Sequence, residues 1–188
     1  MKNSPVLWIV IGVLVAGALA FGGMYNGLAS GKVAAEELSS NIDVELQRQS
    51  DLIPNLVNSV KGQLAHEDKA ITAVTDARKA YVGAQTPADK LAAGANMNQA
   101  LGRLLVVVEN YPNLVSQQAV KDLMVALEGT QNRIEFARTK YNAGVGSYNR
   151  MTVSFPTNIV ANMFGLQKLS FFEAAADARN TPTVDLVP

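Results

Sequence analysis

Leu46-Gln47-Arg48-Gln49-Ser50-Asp51-Leu52-Ile53-Pro54-Asn55-Leu56-Val57-Asn58-Ser59-Val60 is the stretch on which the fold turns. Leu46, Ile53 and Val60 recur every seven residues and hold one helical face in phase through the segment. Asp51 is a suitable N-cap for a new helix, with Pro54 in its first turn, where the missing N–H costs little. The in-phase stripe favours instead one long helix kinked at Pro54. Two all-α architectures stay open at this point. One is an antiparallel four-helix bundle, the other a three-helix bundle with a long kinked first helix.

Working outward, the apolar spacing predicts helix over most of the chain. A first stretch runs from Asn26 to about Gln49, with Leu28, Ala35, Leu38, Ile42 and Leu46 on one side. A second, from about Leu52 to Tyr81, carries Ile53, Leu56, Val60, Leu64, Ile71 and Val74. Thr86-Pro87 then reads as an N-cap followed by proline at the first helical position. The third stretch extends to about Asn110 and the fourth from about Ser116 to Arg150, around Tyr111-Pro112-Asn113. No long run alternates with period two, so no sheet is expected.

Val6 to Tyr25 (VLWIVIGVLVAGALAFGGMY) contains no charge. Twenty helical residues span about 30 Å, the hydrocarbon thickness of a bilayer. Trp8 and Tyr25 lie near its two ends, where amphipathic rings favour the interface. A cleaved leader is the competing reading, with Lys2 ahead of the run and Ala18-Leu19-Ala20 as the small-residue site. The apolar character continues past Ala20 through Phe21 and Met24, which favours a single-pass membrane anchor. Lys2 and the α-amine, against Lys32, Glu36 and Glu37, lean slightly toward an inside N-terminus.

Composition removes many functions. Sixteen basic residues balance sixteen acidic ones, which argues against electrostatic nucleic-acid binding. There is no Cys and one His, so thiolate metal sites, Cys nucleophiles and His clusters are excluded. His66-Glu67 is no zinc-protease motif, because Ala70 stands where the second His is needed. Gln63 likewise breaks the Glu-x-x-His pattern of a di-iron bundle. No phosphate loop and no Ser-His-Asp set is present. No catalytic residue, metal or cofactor is expected.

The remaining candidates are polar residues beside the apolar stripes: Asp51, Asn55, Arg133, Arg138, Asn142 and Asn149. Asp51 and Asn55 share a helical face by their four-residue spacing. Tyr141-Asn142 and Tyr148-Asn149 are seven apart and stack on one face two turns apart. An interhelical polar network is expected, with Arg133 or Arg138 pairing with Asp51 or Glu45. The alternative is a pocket lined by the Arg138 and Asn142 region. At the C-terminal end, Thr157 to Gly165 reads as a short helix stopped by Gly165. Ile159, Val160, Met163 and Phe164 share a face, and Leu166, Leu169, Phe171 and Phe172 follow. That much apolar surface must cover the bundle's end, touch lipid headgroups, or meet another subunit.

In this order, these strings resemble the LemA family of bacterial membrane-anchored proteins. The resemblance rests on Asp51-Leu52-Ile53-Pro54-Asn55-Leu56-Val57, Val60-Lys61-Gly62, His66-Glu67 and Ala77-Arg78. It continues through Glu109-Asn110-Tyr111-Pro112-Asn113-Leu114 and Glu128-Gly129-Thr130-Gln131-Asn132-Arg133-Ile134. Arg138, the two Tyr-Asn pairs, Phe155-Pro156 and Phe164-Gly165 complete it. Gln49 and Gln131 depart from it, standing where the family usually has Arg and Glu. The resemblance implies one N-terminal membrane helix, a four-helix bundle and a cytoplasmic domain, the last against the charge argument. It implies no enzymatic activity and carries over no catalytic residue.

The expected organisation is a short tail over 1–5, a transmembrane helix over 6–25, a bundle over 26–155 and a tail over 156–188. The expected role is a non-enzymatic interaction or scaffold module at the membrane, with the bilayer as one partner. A homo-oligomer and an unnamed protein partner stay open, and nucleic acid is not expected. The alternative is a membrane-tethered sensor for a small molecule or peptide.

Overall fold

The computed structural model describes residues 5–64 and 66–172, and within them the chain is helical with no strand. Most of the tail over 1–5 and residues 173–188 lie outside the described residues, as does the Lys2 orientation argument. Six helices follow in order: α1 (Pro5–Val60), α2 (Asp68–Gly83), α3 (Pro87–Glu109), α4 (Pro112–Val115), α5 (Gln118–Val153) and α6 (Thr157–Met163).

The expected helix boundary near Gln49 to Leu52 does not exist: α1 runs unbroken through Asp51 and Pro54 to Val60. A single arm reaching Tyr81 does not exist either. Pro54 has no N–H, so it leaves the carbonyl of Ser50, four residues back, without its helical donor. Arg78 of α2 supplies the replacement, its Nε donating to the Ser50 carbonyl at 2.8 Å. Ser50 is fully buried, so an unpaired carbonyl there would be costly. The helix tolerates the proline because a second helix repairs its hydrogen-bond ladder.

The break falls later, at Lys61 to Glu67, where His66 lies exposed in the turn rather than on a helix. Val60 accepts from the amides of Gln63 and Leu64, closing the end of α1. Asp68 opens α2 with a carboxylate in its first turn, where the helix dipole favours it. The α3 start is as its sequence predicts. Thr86 Oγ1 accepts from the Asp89 amide at 3.1 Å and donates to the Asp89 carboxylate, with Pro87 at the first position.

The chain forms two compact units. One comprises Met1–Leu38 with Lys140–Phe172, the other, among the described residues, Ser39–Thr139. In the second unit, contacts fix helix directions. Tyr81 bonds Asp43 while Arg78 bonds Ser50, so α2 runs against α1. Lys90 reaches Asp43 and Gly94 faces Leu46, so α3 runs with α1. Arg133 pairs with Glu45 and Gln131 with Gln49, so α5 runs against α1. The core here includes Ile42, Leu46, Ile53, Tyr81, Met97 and Ile134, all essentially inaccessible. At Gly94 a Cβ would stand 2.5 Å from Leu46 Cδ1, so the absence of a side chain lets α3 approach α1.

In the first unit, Leu28 of α1, Tyr148 of α5, and Val160 and Ala161 of α6 form the core, with Leu166 and Leu169 packed against it. Gly165 has φ of 64°, a left-handed conformation that favours glycine. The Gly165 amide bonds the Asn162 carbonyl and the Leu166 amide bonds that of Ala161. That paired arrangement stops α6 as its sequence predicts.

Arg78→Met should cost about 1.5–3 kcal/mol, because the buried Ser50 carbonyl loses its charged donor. In a Pro54→Ala background the restored N–H serves that carbonyl, and the same Arg78→Met change should cost less than about 1 kcal/mol. Urea unfolding of the four proteins measures the coupling. Equal costs in both backgrounds would refute the repair.

Candidate functional site

The six polar candidates divide between the units. Asp51 is exposed in mid-helix and accepts from Gln47 at 2.9 Å, so it is not an N-cap. Asn55 is also exposed, and its backbone carbonyl accepts from the Ser59 hydroxyl. Arg133 meets Glu45 at 3.0 Å, the cross-helix pair the sequence predicts, with 46% and 21% of the two side chains exposed. At that exposure the pair is worth about 0–1 kcal/mol, not the 3–5 kcal/mol of a buried pair. Arg138 pairs along its own helix with Glu135 at 3.0 Å. Burial pulls its pKa down, and Glu135 opposes that shift.

Asn142 and Asn149 do something the sequence reading did not anticipate. Asn149 Nδ2 donates to the Leu169 carbonyl at 2.8 Å, and the Leu169 amide donates back to Asn149 Oδ1 at 2.8 Å. Asn142 repeats the arrangement on Phe172, at 2.9 Å and 2.7 Å. Between them the Tyr141 hydroxyl donates to the Ser170 carbonyl at 3.1 Å. A primary amide carries donor and acceptor side by side, so each Asn acts as one residue of a neighbouring strand.

The spacing explains why two asparagines fit. Seven helical residues rise about 10.5 Å. Three residue steps of extended chain, from Leu169 to Phe172, cover about 10 Å. A seven-residue period on α5 therefore matches a three-residue period on the tail. The tail segment Leu166–Phe172 runs back along α5 as a strap, held through its backbone.

Four further contacts were missed from sequence. Tyr81 donates to Asp43 Oδ1 at 2.7 Å, and Lys90 approaches Asp43 Oδ2 at 2.9 Å, so one carboxylate ties α2 and α3 to α1. Burial, then the Asp43 hydrogen bond and charge, push the Tyr81 hydroxyl well above the usual phenol range. Tyr111 donates to Glu67 at 3.3 Å, joining two of the quoted strings. Gln49 Nε2 donates to Gln131 Oε1 at 3.4 Å. The two residues that depart from the quoted strings thus face one another across α1 and α5. No group of three or more His, Cys, Asp or Glu among the described residues is placed to hold a metal ion.

The model of the LemA family matches residues 38–186, most of the chain. The chain belongs to the LemA family. Magnetosome protein MamQ of Magnetospirillum gryphiswaldense is 28% identical, over 85% of this chain and 68% of that protein. Magnetosome proteins MamQ 1 and MamQ 2 of Paramagnetospirillum magneticum are each 27% identical over the same shares. The LemA match spans most of α1 beyond the apolar run, all of α2 to α6, and the strap.

Asn149→Ala should leave the Leu169 amide and carbonyl without their partners. The loss of about 1–3 kcal/mol should speed hydrogen exchange at the Leu169 amide on the order of tenfold to a hundredfold. Asn142→Ala should do the same at Phe172. Asn132→Ala, an exposed asparagine on the same helix, should change neither. Unchanged exchange in both clamp variants would show that the strap is held by its apolar side chains alone.

Proposed function

We propose that this LemA protein is a membrane-anchored, non-enzymatic scaffold, a four-helix bundle tethered by one membrane helix and recruiting protein partners at the membrane surface. The observation that carries this reading is the apolar run at the start of α1. Residues 6–20 are all exposed, and the helix is long and apolar enough to cross a membrane. Only lipid or a comparable apolar surface can cover it. The same helix continues to Val60 and carries Ile42, Leu46 and Ile53 into the helical core. The alternating helix directions in the second unit support the four-helix arrangement. On α5, Val125 and Phe136 stand outward on one face, each more than 60% exposed, offering apolar contacts to a partner. The magnetosome relatives are named for a structure rather than a reaction, which accords with a structural role.

Photo-crosslinking residues placed at Val125 and at Phe136 test this in native membranes after an alkaline carbonate wash. The chain should stay in the pellet, and both positions should give the same discrete protein adducts. Release by the wash would refute the anchor. Retention without protein adducts would refute the scaffold role while leaving the anchor.

The strap favours a second reading, a tethered receptor for extended peptides. The asparagines bond only backbone atoms of their guest, so the site accepts any extended segment with apolar residues in register with Leu166 and Leu169. A labelled peptide of the sequence Leu166–Phe172 should bind the full chain more tightly once Leu169→Ser loosens the resident strap. Adding Asn142→Leu and Asn149→Leu should abolish that binding. Absence of binding to the loosened chain would rule this reading out.

A further inference from the structure

We propose that α6 and the turn before it form a second membrane contact, lying in the boundary between headgroups and acyl chains beside the exit of the apolar helix. The inference rests on the anchor reading and adds a lipid-binding surface to it. The deciding observation is Phe164, at the C-terminal end of α6. Its ring centroid lies 4.6 Å from that of Tyr25 and 6.1 Å from that of Phe21. Phe21 and Tyr25 occupy the last turns of the uncharged run, and the next charge on α1 is Lys32. The end of α6 therefore sits at the level where aromatic rings meet the membrane–water interface.

The surface at that level is uncharged and exposes large apolar side chains, with the polar Asn162 and Ser154 among them. Val160 and Ala161 point inward against Leu28 and Tyr148. Ile159 and Met163 occupy the other side of α6 and are 53% and 67% exposed. Phe155, in the turn before the helix, is 81% exposed. No residue from Met151 to Gln167 is charged, while Arg150 and Lys168 flank the segment, both exposed. An uncharged apolar face between two cations suits a lipid interface, with the cations at headgroup phosphates. The bilayer is the occupant because the face is continuous with the helix already assigned to it.

Trp8 is the only tryptophan and lies within the apolar run, so the chain carries its own reporter of that span. The full chain is reconstituted in phosphatidylcholine vesicles containing lipids brominated at chosen acyl positions. Trp8→Phe combined with Met163→Trp, and separately with Ile159→Trp, moves the reporter to α6. Both α6 reporters should show blue-shifted emission, lose intensity to bromines placed high on the acyl chain, and resist aqueous iodide. Red-shifted emission quenched by iodide, with Trp8 of the unaltered chain still quenched by bromine, overturns the α6 contact alone. Blue-shifted emission that neither quencher reaches also overturns it, because protein then covers the face, as a second copy of the chain would. Loss of bromine quenching at Trp8 itself overturns the anchor reading beneath it.

Discussion

A single carbonyl, that of Ser50, sets the terms for the helical core. Proline four residues later removes its donor, and Arg78 replaces it from another helix. The bond is directional and buried, so it fixes the axial register of α2 against α1 to within one residue. Apolar stripes alone do not do this, since Leu and Val contacts tolerate sliding by a turn. Once α2 is registered, Tyr81 falls opposite Asp43, and the same carboxylate receives Lys90 from α3. Three helices thus take their alignment from positions forced by one proline.

The asparagine clamp solves a different problem with the same chemistry. Residues 166–172 form no regular element, and their backbone groups need partners where they pack within the first unit. Helix α5 cannot offer its own backbone, which is already paired within the helix. Side-chain amides spaced by two turns supply the missing edge. The half-buried side chains of Leu166 and Leu169 then pack against the core while Phe171 stays half exposed. The strap is bound by shape and backbone polarity more than by sequence.

Much of the fold is legible in the residues. Thr86-Pro87 announces its helix start, Gly165 its helix end, and the seven-residue stripe of α1 its buried face. The boundary at Asp51 stays open in the sequence because local signals describe one helix at a time, although the in-phase stripe favours the continuous helix that forms. Asp51 and Pro54 do resemble a start, and only the distant Arg78 makes continuation cheaper. The turn at Lys61 to Glu67 was hidden for the opposite reason. Val60, Leu64, Ile71 and Val74 keep helical spacing whether the chain goes straight on or folds back on itself. The Asn142 and Asn149 repeat was visible, but its partner was not, because a backbone guest leaves no residue type to recognise.

The facing glutamines make one crossing of α1 and α5 unequal in its tolerance of charge. Gln49 and Gln131 form a neutral amide pair there. Position 49 is fully enclosed, whereas position 131 keeps some contact with water. An arginine placed at 49 opposite a neutral residue would be a solitary buried cation, at a cost of about 3–5 kcal/mol. A glutamate placed at 131 could still turn toward solvent. A pair of opposite charges could therefore be introduced at this crossing only with the carboxylate first, so burial fixes the order of changes that the contact accepts.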